Sequence, residues 1–98
     1  MTRVAAYVPD LMDRSKLAAA GEVTFVAAPG ELAGTAADLV VVDLSRAGVL
    51  EALGQVDART IGFGSHVDHE LLAAAREAGC DEVLPRSKFF ARIGEFLA

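Results

Sequence analysis

Ala37-Asp38-Leu39-Val40-Val41-Val42-Asp43-Leu44-Ser45 is the stretch from which the fold can be read. Residues 39–42 run apolar without interruption, and three of the four are β-branched. An aspartate follows, and two positions later a serine suited to starting a helix. An apolar run of this length, closed by turn chemistry, suits a strand buried on both faces at the centre of a parallel sheet. In open α/β sheets ligands bind beyond the carboxyl ends of the strands, and Asp43 would stand at that edge.

Upstream, residues 3–8 (RVAAYV) read as a first strand stopped by Pro9. Asp10 is a good N-cap, with Asp13 three positions on in the acid's place of a capping box. A helix is therefore predicted over 11–20, closed by Gly21. Residues 23–27 (VTFVA) form a second strand, and Pro29-Gly30 breaks it. The room left before Asp38 allows one or two helical turns at most.

Downstream, Ser45 is placed to cap a short helix over 47–53 that Gly54 ends. Residues 60–63 (TIGF) are a fourth strand. Ser65 and Asp68 are spaced as a second capping box, and Val67, Leu71, Ala74, Ala75 and Ala78 then fall near one helical face. Gly79 ends that helix. Residues 81–84 make a short fifth strand broken by Pro85, and Ser87 caps a last helix striped by Phe89, Phe90, Ile93 and Leu97. Strands alternate with helices five times, which implies βαβ units with right-handed crossovers and a parallel sheet. One α/β domain over residues 1–98 is expected.

Composition narrows the function. Hydrophobic residues make up 53% of the 98, which argues against disorder. Acidic residues outnumber basic ones 14 to 9, a balance that disfavours a nucleic-acid surface. No apolar segment reaches the ~20 residues a spanning helix needs, and no signal-peptide core is evident, so no membrane partner is expected. A single cysteine, Cys80, cannot make an internal disulfide and fits a reducing, cytoplasmic setting. It reads as a small buried residue.

Two constellations could carry chemistry. Gly62-Phe63-Gly64-Ser65 can offer backbone N–H groups to an anion at a helix start, with Arg86 and Lys88 bringing charge to the same edge. That makes Gly64, Ser65 and Arg86 anion-binding candidates, although Ser65 also suits a plain cap. His66 and His69 share a helix face, yet no further histidine or cysteine pattern completes a metal site. No G-x-S-x-G nucleophile elbow is present, so hydrolytic catalysis is not expected.

The chain resembles the receiver domain of two-component response regulators. Residues 37–44 look like that family's third strand, with Asp43 at the phospho-acceptor position. Ala75-Arg76-Glu77-Ala78-Gly79-Cys80-Asp81-Glu82-Val83-Leu84 looks like its run into the fifth strand. The resemblance implies a flavodoxin-like, receiver-like three-layer sandwich with five parallel strands in the order 2-1-3-4-5, the second helix being shortened or missing. It also implies a phosphoryl site with magnesium, for which Asp10 and Asp43 are the available carboxylates.

The departures are specific. Val8 and Pro9 stand where the family has an acidic pair, and Gly64 stands where it has a hydroxyl. Arg86 replaces its lysine, and Ser87 the proline that follows. The resemblance therefore points to a degenerate pseudo-receiver, a non-enzymatic signalling module needing no cofactor. Such a module would bind a protein partner, or a second copy, through the face of the fourth helix, strand five and last helix. The alternatives are a working phospho-acceptor using Asp43 with magnesium, and a small-anion protein using Gly64, Ser65 and Arg86.

Overall fold

Five parallel strands pair in the order β2-β1-β3-β4-β5: β1 (Val4–Tyr7), β2 (Val23–Phe25), β3 (Leu39–Asp43), β4 (Arg59–Gly64) and β5 (Glu82–Pro85). This computed structural model describes residues 2–97, so Met1 and Ala98, the ends of the expected domain, lie outside the described residues. β3 is central and buried at all five positions, as its uninterrupted apolar run requires. The alternation of side chains along the strands then builds two cores. Val4, Ala6, Leu39, Val41, Ile61 and Phe63 face one side. Ala5, Val40, Val42 and Val83 face the other.

The first side is covered by α1 (Leu11–Ala20) and by α4 (Arg86–Ala91) and α5 (Ile93–Leu97). Their contribution is mostly aromatic: Phe89 stacks on Phe63 and on Phe96 at centroid distances of 5.0 and 5.7 Å. The second side is covered by α2 (Val49–Leu53), α3 (His69–Glu77) and a 3₁₀ segment over Pro29–Gly34, the short remnant expected after β2. No helix of the described residues is long and apolar enough to cross a membrane.

The strand order and layers agree with expectation, whereas several helix starts differ. Asp10 does cap α1, accepting the N–H groups of Met12 and Asp13 at 2.9 and 3.0 Å. Asp13 is not the returning acid of a capping box, because its side chain is buried against Arg86 instead. Ser45 does not cap α2; its N–H and hydroxyl are both donated to Asp43, so the chain turns before the helix begins. Gly48, at φ 84°, makes the entry to α2, a left-handed conformation that a side chain would strain.

Ser65 likewise sits in a turn, and Asp68 is the N-cap of α3, accepting Leu71 N–H at 3.1 Å. Val67 therefore precedes the helix and is 68% exposed rather than part of its inner face. Helix α4 starts at Arg86 directly after Pro85, ahead of Ser87, and the expected single last helix breaks at Arg92 into α4 and α5.

Candidate functional site

Parallel pairing puts every strand's carboxyl end at one edge. The pairs Tyr7–Val42, Asp43–Phe63 and Gly64–Pro85 align β1, β3, β4 and β5 there. The strand ends and the segments just after them carry Asp10, Asp43, Gly64, Ser65 and Arg86, so all five residues singled out from the sequence reach the same edge. They are not equally engaged.

Asp43 ends β3 at 4% exposure. Its Oδ1 accepts the Ser45 N–H at 3.0 Å and the Ser45 hydroxyl at 2.6 Å. Its Oδ2 pairs with Arg46 Nε at 3.5 Å. Both oxygens of this carboxylate are thus committed within three residues of its own backbone. Asp10 spends Oδ1 on the cap of α1, and the N–H of Asp13 is the main reason its carboxyl is held below the ordinary range. Arg86 and Arg46 add to that effect from across the edge.

Arg86 does not reach into the Gly64–Ser65 loop. Its guanidinium donates to Asp13 Oδ1 on α1, a carboxylate only 1% exposed. That bond is the main reason the Arg86 pKa is raised, with the charges of Asp43 and Asp10 contributing. The same guanidinium lies over the rings of Phe63 and Phe90, at 5.5 and 5.4 Å from their centroids. Arg14 closes the other end of this corner by donating Nε–H to the Val8 carbonyl at 2.7 Å.

Gly64 and Ser65 stand outside this network. A Cβ on Gly64 would meet Leu72, Leu71 and Leu44, on the α3 side of the sheet, whereas Arg86 extends over the α1 side. The Ser65 hydroxyl accepts Val67 N–H at 3.4 Å, and no side-chain hydrogen bond joins it to Arg86 or Asp43 among the described residues. His66, His69 and Lys88 are exposed. Asp13, expected only as a capping-box acid, is the site residue that sequence did not single out. Its spacing to the fully buried Leu17, four positions on, places both on the inner face of α1 and was the available signal.

The donor set does not fit a magnesium ion. Magnesium wants near-octahedral oxygen ligands that are free to bind it. Here Asp43 is taken by Ser45 and Arg46, Asp10 is capping a helix, and Asp13 is paired with a guanidinium. Among the described residues no three His, Cys, Asp or Glu side chains are grouped to hold a metal ion.

Comparison with known proteins places this geometry. A response regulator from Burkholderia multivorans is 30% identical, covering 88% of this chain and 84% of its own, with a TM-score of 0.62. A response regulator from Hahella chejuensis superposes with a TM-score of 0.83 over 99% of this chain and 92% of its own, at 15% identity. A CheY-like protein, TadZ, from Pseudomonas aeruginosa PAO1 gives a TM-score of 0.65 at 20% identity, covering 96% and 94%. No protein-family model and no curated protein sequence matches the chain.

Proposed function

The chain belongs to the receiver domains of response regulators, and from that membership we propose that it is a signalling interaction module whose carboxyl edge works without being phosphorylated. The observation that supports this most is the state of Asp43. Phosphoryl transfer to a carboxylate needs one oxygen free to attack and a cation to neutralise the charge on the transferred oxygens. Both Asp43 oxygens already have partners on neighbouring residues, and among the described residues no three acids, histidines or cysteines are grouped to seat a metal ion. A small-anion function on Gly64, Ser65 and Arg86 has weaker support, since Asp13 already takes the guanidinium.

The partner is a protein in this reading. The last two helices offer it little apolar surface, because Phe89, Phe96 and Leu97 are buried and Phe90 and Ile93 pack on the same core. That weakens the case for a second copy docking on those two helices. Among the described residues the most exposed large apolar side chains are Leu11 and Met12 at the start of α1, at 76% and 73%, and Val67 in the loop after β4. They rim the carboxyl edge, which favours contact from that end.

An amide NMR titration with magnesium and then beryllofluoride, on wild type and Asp43→Ala, tests the proposal. The expected result is no saturable shift at Asp10, Asp43, Gly64 or Arg86 with the phosphoryl mimic. Saturable shifts at those positions that vanish in Asp43→Ala would instead make Asp43 a working phospho-acceptor.

A further inference from the structure

We infer that Arg86 is the resident cation of the carboxyl edge: its guanidinium does for the buried Asp13 what a divalent ion would otherwise do. The inference deepens the proposed function and rests on its reading of the edge as internally satisfied.

A carboxylate as buried as Asp13 is costly without a counter-charge. Its Oδ1 receives the Arg86 bond, while its Oδ2 is buried with no hydrogen-bond partner. Among the described residues no other cationic side chain pairs with it. Arg86 is therefore its one cationic partner among the described residues. The negative charges of Asp43 and Asp10 also favour the cationic form of the same guanidinium. The faces of Phe63 and Phe90 support it from a second direction, and both rings belong to the aromatic stack of the core.

Magnesium gives up water reluctantly and demands a near-ideal oxygen shell. A guanidinium has no such demand: it spreads one permanent charge over five N–H donors. It is also tethered to the chain, so its occupancy does not vary with ion concentration. One departure from the family pattern, Arg86, gains a role on this account. With an arginine in the lysine place and an aspartate on the inner face of α1, the edge carries its own cation.

Thermal unfolding of the intact protein tests this, in EDTA and in millimolar magnesium chloride at matched ionic strength. Wild type is expected to unfold at the same temperature in both. Arg86→Met keeps the side chain's reach and strands the buried acid, so its midpoint should fall by ~10 °C or more. Arg86→Lys keeps the charge and should recover most of that loss. The double variant Asp13→Asn with Arg86→Met removes both charges and should also recover it.

A wild-type midpoint that rises with magnesium overturns the inference, because the edge would then still take the ion. So does an Arg86→Met protein as stable as wild type. Should Arg86→Met fail to fold, the double variant decides: a folded double supports charge compensation, and an unfolded one overturns it. The Arg86 variants are compared with no phosphoryl mimic present, so their outcome is separate from the fate of Asp43 in the beryllofluoride titration.

Discussion

Asp13 and Arg86 are 73 positions apart in the chain, yet the fold pairs them. Helical spacing turned Asp13 inward beside Leu17, and burial then required a cation. Asp10, by contrast, could be read directly, because an aspartate just before a helix has one local job whatever packs around it. Gly62 is a third case in which one atom matters. A Cβ there would stand 2.7 Å from Leu44 Cδ2 and 2.8 Å from Leu44 Cγ, and Leu44 is itself buried. Gly62→Ala is therefore expected to destabilise the protein by about 1–3 kcal/mol, because the buried Leu44 side chain must shift to make room. Urea unfolding would measure it, and an unchanged midpoint would show that Leu44 has another rotamer open to it.

Among the elements, α1 is held most explicitly at its start. The depressed pKa of Asp10 comes first from the Asp13 N–H it accepts, so the ionised form is what stabilises the helix end. The sign follows from linkage. A carboxyl whose folded pKa lies below its unfolded value, about 3.9, contributes stability above that value and loses it as pH falls through the folded pKa. Asp10→Ala should accordingly be less stable than wild type at pH 7, with the gap closing below about pH 4. Urea midpoints for both proteins across that range check it; a gap that persists undiminished in acid would assign the cap to something other than the carboxylate charge. Two of the three serines expected to cap later helices, Ser45 and Ser65, fail for a common reason. A β–α loop in this fold must first turn off the end of the strand, and Ser45 and Ser65 are consumed in those turns. Spacing to the next apolar residue cannot reveal that, because the length of the turn depends on where the sheet ends.

At the scale of the whole molecule, two cores flank one sheet, and Cys80 belongs to the second of them. Burial is the main cause that pushes its thiol up to about 11, so the reactive thiolate is scarce in the folded protein. Alkylation of Cys80 at pH 8 should be slow in the native state and become fast only when denaturant opens the domain. Rapid native-state labelling, followed by mass spectrometry, would mean that the β4–β5 side opens locally. The same displacement of pKa makes unfolding easier in alkali, since the unfolded thiol ionises from about pH 8.5 while the folded one does not.

The architecture was legible because it is made of short-range signals. The apolar run over 39–42, the glycines and prolines between elements, and the five-fold alternation act within a few residues. Right-handed crossovers then leave few ways to order five parallel strands. The electrostatics of the edge were not legible in the same way. Whether Arg86 meets Asp43, a ligand or Asp13 depends on how α1 and α4 pack over Phe63, Phe89 and Phe90, and that packing joins residues from opposite ends of the chain. Periodicity assigns a side chain to a face; only the packed helices bring two such faces within the few ångströms over which a charge finds its partner.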